Sequence, residues 1–348
     1  MDHSLDQQPG KRFTSRSGRA MDFTSLGFGT APLGNLYRAI SNEQALQTMQ
    51  QAWADGIRYY DTAPLYGFGL AETRLGAFLR EQPRDEYLLS TKVGRVLQRC
   101  APEQRDGIGK FFDVPSRTMG YDYSYDGVMR SLDFSFERLG LDRIDIALCH
   151  DLCVFTHGSQ EASDQRTREF LEGGYRALHD LRTQGVVGAI GIGVNEWQVS
   201  EVVARNTEVD LFLLAGRYTL LEQESLNSFL PLVQQKNMGV IIGGPFNSGI
   251  LATGARPDAW FNYGPAPAEV LQRVAAIEKV CAAHQVPLRD AALQFPLLHP
   301  AVVAVIPGAI TPAEVAGNAA SMKRAIPPAL WADLVRQGLL REDAPHAH

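Results

Sequence analysis

Eight short apolar segments recur along the 348-residue chain, each followed by a stretch with helical spacing, and this alternation restricts the fold more than any other feature. The first lies in the glycine-rich run Phe23–Gly34. The others are Ile57–Tyr60, Tyr87–Lys92, Ile144–Cys149, Val187–Val194, Leu211–Leu214, Val240–Gly243 and Val302–Ile306. A helix capped by Ser41 and ended by Gly56 carries Leu46, Met49, Ala52 and Trp53 on one face, at spacings of three and four. The same periodicity predicts helices near Ala71–Arg80, Tyr125–Leu139, Gly174–Thr183, Val199–Asn206 and Glu222–Lys236. A long helical region follows around Ala268–His299, and a last helix over Pro312–Ala325. Continuous apolar strands such as Val302–Ile306 need cover on both faces, which implies a parallel sheet under helices. Length alone allows two domains. No linker or shift in composition divides the chain, so the expectation is one α/β fold, a single (β/α)8 TIM barrel over residues 21–340, with polar tails at 1–20 and 341–348.

With 45% hydrophobic and 21% charged residues, the composition is that of a soluble globular protein. A formal charge of −6, a pI near 5.8 and the lack of a basic run argue against nucleic acid or an anionic membrane as partner. The N-terminal stretch has no signal-like apolar core, and no apolar run approaches the roughly 20 residues of a membrane span. A cytoplasmic protein acting on a small molecule is expected, and a homo-oligomer is compatible with the sequence. Cys100, Cys149, Cys153 and Cys281 lack zinc-type spacing and read as reduced thiols. Histidines are scattered apart from the His346/His348 tail, and no His-Glu-x-x-His occurs, so no metal is expected.

Four polar side chains stand at or near strand ends: Asp61 and Tyr66 around the turn after the second strand, Lys92 ending the third and His150 following the fourth. Each has an ordinary alternative. Asp61 could cap or form a turn, Tyr66 could be a half-buried core ring and Lys92 a surface lysine. Two loops too long to be connectors, Arg95–Tyr123 with Gly107, Gly109, Phe111 and Phe112, and Asp151–Glu172, follow strands three and four. Long ordered loops are usually functional, and barrel active sites sit at the carboxyl ends of the strands, the face that all four side chains share. A tyrosine working as acid or base near neutrality needs its pKa brought down from about 10, as a neighbouring ammonium would do. Lys92 is the candidate, with Asp61 to hold it, and His150 to donate to a carbonyl, orient the substrate or relay a proton. There is no activated Ser or Cys nucleophile and no glycosidase carboxylate pair. Proton transfer at a carbonyl oxygen beside a cofactor hydride fits the set. Gly27-x-Gly29 is not a Rossmann fingerprint, because Pro32 occupies the third glycine position.

Asp61-Thr62-Ala63-x-x-Tyr66-Gly67 with Glu72 and Gly76, Ser90-Thr91-Lys92 and the strand-end His150 together resemble the signature of the aldo-keto reductases, a likeness running from about Leu26 to Asn318. The resemblance implies Tyr66 as proton donor or acceptor, Lys92 and Asp61 as its tuners and His150 as the substrate-orienting group. It also implies an extended nicotinamide cofactor across the strand ends, with Gly29 and Thr30 by the nicotinamide. Gly191-Ile192-Gly193-Val194-Asn195 is similar to the family's carboxamide-holding segment, which points to Asn195, although the usual serine is missing. The family's next-strand glutamine is also replaced, in Leu214–Tyr218, leaving Arg217 and Tyr218 without a role. Gly244-Pro245-Phe246-Asn247-Ser248-Gly249 is similar to the pyrophosphate loop, implicating Pro245, Phe246 and Gly249, although a plain turn into a short helix explains Pro245 and Gly249 equally.

The adenosine end departs from the family pattern. Ile306–Asn318 resembles the closing motif in which NADP-preferring members carry a Lys and an Arg, and here Gly308 and Glu314 take those places, followed by Asn318. A carboxylate repels a 2′-phosphate but accepts a hydrogen bond from a free ribose hydroxyl, so NAD is expected to be preferred over NADP. Glu314 as an ordinary first-turn residue after Thr311 suits either cofactor. The resemblance is greatest to aldose 1-dehydrogenases of the L-fucose (D-threo-aldose) type and to pyridoxal 4-dehydrogenases, both of which oxidise a hemiacetal to a lactone. It leaves open a general aldehyde reductase and a nicotinamide-binding regulatory subunit. Tyr121-Asp122-Tyr123 could bind sugar hydroxyls, and Phe111, Phe112, Trp260 or Phe261 could stack on a substrate ring.

Overall fold

The computed structural model describes residues 10–104 and 110–346. Eight parallel strands form the central sheet: β3 (Phe28–Gly29), β4 (Tyr59–Asp61), β5 (Leu88–Val93), β8 (Ile146–His150), β9 (Ala189–Val194), β10 (Leu211–Ala215), β11 (Gly239–Gly243) and β14 (Val302–Ile306). They neighbour one another in chain order, and parallel bridges Leu26–Val305 and Gly29–Gly308 close the first against the last. The barrel expected from the strand count is therefore present.

Around it run α1 (Asn42–Ala54), α2 (Leu70–Leu79), α3 (Tyr125–Leu139), α6 (Tyr175–Thr183), α7 (Trp197–Asn206), α8 (Phe229–Gln235), α11 (Leu288–Gln294) and α12 (Pro312–Lys323), with α10 (Ala268–Ala283) and α13 (Pro328–Arg336) behind. Hydroxyl caps start several of them: Ser41 accepts from the amide of Gln44, Ser124 from Gly127 and Thr311 from Glu314. The long region 268–299 is two helices rather than one, because Pro287 lacks the amide and the freedom in φ needed to continue. The stretch expected as helix from Glu222 begins as a 3-10 turn at Glu224–Asn227.

Residues alternate between two cores, as strand geometry requires, except at the register shift in β14 where Val303 and Ala304 both join the inner one. Tyr59, Leu88, Ile146, Leu148, Ala189, Leu211, Leu213 and Ile241 fill the inside of the barrel. Tyr60, Leu89, Ala147, Cys149, Ile190, Ile192, Phe212, Leu214, Val240 and Ile242 face the helices. The inward parity thus includes Asp61, Ser90, Lys92 and His150, at the carboxyl ends of their strands.

At the opposite end, β1 (Gly10–Thr14) and β2 (Ala20–Thr24) form an antiparallel hairpin whose Met21 and Phe23 complete the inner core. Residues 10–20, expected as polar tail, are thus the lid of the barrel floor. Their polar character serves the turn. Arg16 donates its amide to Asp210, and Arg19 pairs at 3.0 Å with Asp145, a fully buried carboxylate that also takes Arg84 at 2.7 Å and Arg143 at 3.5 Å. At the C-terminus, Arg341 donates to Gln223 and Asn227, so this stretch also packs on the barrel.

Both long loops are structured. Arg95–Tyr123 is a hairpin of β6 (Arg95–Arg99) and β7 (Arg117–Tyr121), paired from Arg95–Tyr121 to Arg99–Arg117; Gly107 and Gly109 lie outside the described residues. The loop after β8 folds into α4 (Val154–His157) and α5 (Gln160–Glu169). No helix among the described residues is long and apolar enough to cross a membrane, and no cluster of His, Cys, Asp and Glu among them could hold a metal.

Candidate active site

The turn that carries Tyr66 is set by two glycines. Gly67 lies at φ 64°, in the left-handed region, and its backbone presses on Gly34 so closely that a Cβ would sit 2.4 Å from the Gly34 carbonyl oxygen. Gly67→Ala should therefore cost about 1–3 kcal/mol in a urea titration and displace Tyr66 enough to depress turnover. Gly185→Ala, at φ 76° with open space around it, is the control and should lose stability without losing activity.

This placement brings Tyr66 to the inward side chains of β4 and β5. The Lys92 ammonium, 1% exposed, has three hydrogens and three acceptors: Asp61 Oδ2 at 2.6 Å, the Thr62 carbonyl at 3.0 Å and the Tyr66 hydroxyl oxygen at 3.1 Å. The other carboxylate oxygen, Asp61 Oδ1, accepts from Ser90 Oγ at 2.6 Å, and the Tyr59 hydroxyl lies 2.9 Å behind Ser90. Because Tyr66 accepts from Lys92, its own hydrogen is free to point at a substrate oxygen. His150 stands edge-on to the Tyr66 ring, with centroids 6.0 Å apart.

The electrostatics correct one expectation. Burial, with the carboxylates Asp61 and Asp151, pushes the Tyr66 phenol well above its ordinary range, and Arg95 works against them. Lys92, which donates to the phenol oxygen at 3.1 Å, is itself balanced by Asp61 at 2.6 Å and does not offset the burial. Burial lifts the Asp61 carboxyl, and the ammonium works against that. Tyr66 is a neutral phenol at physiological pH.

Sequence reasoning missed Asp151 and Arg95, although the acid directly follows His150 and Arg95 begins the loop after β5. Burial works to raise the Asp151 carboxyl, but His150 and Arg95 outweigh it and hold it below the usual carboxylate range. Arg95 lies 2.5 Å from Asp151 Oδ2 and His150 Nε2 lies 3.2 Å from the same oxygen. Asn195 Nδ2 reaches Asp151 Oδ1 at 3.3 Å, and the Tyr263 hydroxyl donates to Asn195 Oδ1 at 3.2 Å, so both ends of this amide have protein partners.

Beside Tyr66 a cleft of about 320 Å³ runs over the strand ends, lined by Gly29, Gly243, Gly244, Gly249, Gly308 and Asn195 among others. Pro245, Phe246 and Arg217 line it too, and Arg217 donates to Asn262 at 2.8 Å. A Cβ on Gly244 would meet nothing nearer than 3.8 Å, and one on Gly249 nothing within 4 Å, so the space above both backbones belongs to the cleft. Asn247, Ser248 and Gly249 are successively left-handed, at φ 47°, 62° and 100°, and close a tight turn in which the amides of Asn247 and Gly249 donate to the carbonyls of Gly244 and Phe246. Thr30 lies outside the lining, its hydroxyl donating to the Asp61 carbonyl at 2.9 Å. Glu314 accepts from the amide of Ile310 at 2.7 Å and donates its own amide to the Thr311 hydroxyl, and Asn318 accepts from Arg289 at 3.0 Å. Tyr218 is fully buried against Phe295 and His299.

The aromatic candidates divide. Tyr123 is fully buried, its hydroxyl donating to the carbonyls of His150 and Asp151, and Asp122 is engaged at the start of α3, so this pair cannot bind a sugar directly. Phe111 packs on Phe68, while Trp260 meets Tyr37 edge-on at 5.7 Å near the rim of the cleft.

The family model for the aldo/keto reductases matches residues 25–336. A pyridoxal 4-dehydrogenase from Microbacterium luteolum is 40% identical over 95% of this chain and 98% of the relative. A D-threo-aldose 1-dehydrogenase from a Pseudomonas species is 41% identical over 91% of this chain and 94% of the relative. Among solved structures, an aldo-keto reductase from Bacillus halodurans superposes with a TM-score of 0.73 at 22% identity, covering 97% of this chain and all of the other. With the barrel, the match to the family model and two relatives at this level of identity, the chain belongs to the aldo/keto reductase family and is an oxidoreductase.

Proposed function

We propose that this protein oxidises a cyclic hemiacetal of the L-fucose or D-threo-aldose type to its lactone, with NAD taking the hydride. The observation that carries the reading is the setting of Tyr66: its oxygen accepts from Lys92 and it lines the cleft, so its hydrogen is free for the oxygen of a substrate bound there. Gly29, Asn195, Pro245, Phe246, Gly249 and Gly308 would hold the dinucleotide, which supplies the hydride acceptor when bound. Tyr66 then holds the reacting oxygen, Lys92 and Asp61 fix the phenol, and His150, edge-on to the Tyr66 ring, would orient the substrate. The relatives support the class of substrate, since one is named for a D-threo-aldose and the other for pyridoxal. Pyridoxal, also a hemiacetal donor, is the second reading.

Support for NAD rests on Glu314, whose carboxylate is fixed by Ile310 at the start of α12 and would repel a 2′-phosphate. Arg289, beside Asn318, is a cation at the same end and favours NADP. The test is a panel of L-fucose, other aldoses, pyridoxal and aliphatic aldehydes, followed as NADH or NADPH formation or consumption. Higher kcat/KM with an aldose and NAD is expected; kcat/KM higher with NADP overturns the cofactor choice. Glu314→Arg should move the NAD to NADP ratio by at least about tenfold towards NADP, about 1.4 kcal/mol. Binding of the cofactor without turnover of any substrate would indicate a regulatory subunit.

A further inference from the structure

Arg217 lines the cleft, and the chemistry at Tyr66 leaves it without a task. Among the described residues that line the cleft, only Asp61 and Arg217 are charged, and Asp61 is already balanced by Lys92 at 2.6 Å. Two nearby cations are engaged in the same way, Arg95 by Asp151 and Arg256, just past Ser248 and Gly249, by Asp258 at 3.2 Å. Arg217 differs. Glu222 feels its charge but forms no ion pair with it, and its hydrogen bonds go to neutral oxygens: Asn262 Oδ1 at 2.8 Å and the Gly216 carbonyl at 3.4 Å, both from Nη1. Nε and Nη2 have no partner among the described residues. A guanidinium presents five N–H in a planar fork, so most of its donors are open.

The side chain stands on a fixed base. Gly216 turns left-handed at φ 68° after β10, its amide donating to the Gly243 carbonyl at 2.8 Å and its carbonyl accepting from Asn247 Nδ2 at 3.0 Å. The Arg217 carbonyl accepts from Ser225 Oγ at 2.9 Å. Asn247, 4% exposed, is held in turn by the Thr219 hydroxyl at 2.6 Å. These bonds tie the root of Arg217 to the loop 244–249, which is itself poor in donors. Pro245 has no N–H, and the amides of Asn247 and Gly249 are taken up inside the turn, so within 245–249 only Phe246 and Ser248 have amides left to offer. A pyrophosphate is a dianion that calls for charged donors. The loop has none of its own, and Arg217 is fastened beside it.

We propose that Arg217 binds the pyrophosphate of the dinucleotide, supplying through its guanidinium the positive charge and the donors that the loop after β11 lacks. Asn262, on the hairpin Trp260–Pro265, steadies the guanidinium through a neutral oxygen and leaves its charge uncompensated. The recognising group thus comes from the end of β10, where the sequence departs from the family's glutamine. The proposal rests on the reading of the cleft as a dinucleotide site.

Binding measurements separate this role from turnover. The full-length protein is titrated calorimetrically with ADP-ribose, which has the pyrophosphate but no nicotinamide, and by fluorescence with NADH. Arg217→Gln should weaken both ligands about 10- to 100-fold, the range of charge-assisted hydrogen bonds, and Arg217→Lys, which keeps the charge, should lose less. Asn262→Asp places a competing carboxylate against the guanidinium. It does so from an exposed turn position at φ 49°, which Asp tolerates, so this variant carries the test if the Arg217 variants misfold. It should weaken both ligands about 5- to 20-fold. Folded Arg217→Gln or Asn262→Asp protein that binds ADP-ribose within about threefold of the original overturns the proposal. A loss for NADH alone overturns it too, because it would put Arg217 at the nicotinamide. If the original protein binds neither ligand nor NADPH, the dinucleotide reading fails and this proposal with it; if it binds them and the variants bind equally well, only the role of Arg217 fails.

Discussion

Tyr66→Phe should lower kcat/KM by about 10³-fold while leaving dinucleotide binding, read from quenching of protein fluorescence, within about threefold of the original, the loss expected for a group that hydrogen-bonds and exchanges a proton with the reacting oxygen. Removing one oxygen keeps the ring, so its edge-on packing against His150 and the shape of the turn persist. The hydroxyl lost is the third acceptor of the Lys92 ammonium, which keeps Asp61 and the Thr62 carbonyl. Folding stability should therefore change by less than about 1.5 kcal/mol, the usual worth of one hydrogen bond. A variant that retained more than about a tenth of the activity would remove Tyr66 from the chemistry.

Lys92→Met carries two losses at once. Asp61 and Lys92 are 2% and 1% exposed at the side chain, and taking away the cation leaves a carboxylate in the barrel mouth with only Ser90 to donate to it. Breaking a buried pair from one side costs about 3–5 kcal/mol, which urea unfolding would register. Activity should fall about 10²-fold or more, because the phenol loses the donor that fixes its oxygen. The double variant Asp61→Asn/Lys92→Met separates the two: with no buried charge left, stability should largely return and activity should not. Recovery of both together would mean that the lysine matters only for folding.

Burial has a further consequence at the His150 end. The carboxyl of Asp151 is held below its ordinary value in the folded protein, so it contributes stability above the unfolded-state pKa and loses it as pH falls through the folded one. Asp61 has the opposite sign, its carboxyl being raised by burial. The two acids, both at the mouth, therefore pull the acid limb of stability in different directions.

Much of this was legible in residue order because strands impose parity. Once eight apolar segments imply a barrel, a polar residue at a strand end lies inside or outside according to its count from an inward neighbour, and Asp61, Lys92 and His150 share the inward count with Tyr59, Ser90 and Leu148. The hairpin Gly10–Thr14/Ala20–Thr24 was not legible. Its strands are short and mixed in polarity, and its place is decided by contacts with Asp145 and Asp210, more than a hundred residues away. The lowered phenol pKa was mistaken for a related reason. Charge proximity, including the Asp61 partner of Lys92, was readable from the expected strand ends, but the burial that raises the phenol pKa exists only in three dimensions. Asp151 and Arg95 carried a faint signal, an acid next to the strand-end histidine and a cation beginning the preceding loop, but nothing local says that a hairpin and a helix-bearing loop will fold them onto each other.

A barrel whose floor is stoppered by Met21, Phe23 and the arginine-bound acids is a flask rather than a pipe. Whatever enters over Tyr66 must leave by the same neck, and the edge-on pair of Tyr37, which lines the cleft, and Trp260 stands beside that passage, far from the bond being broken.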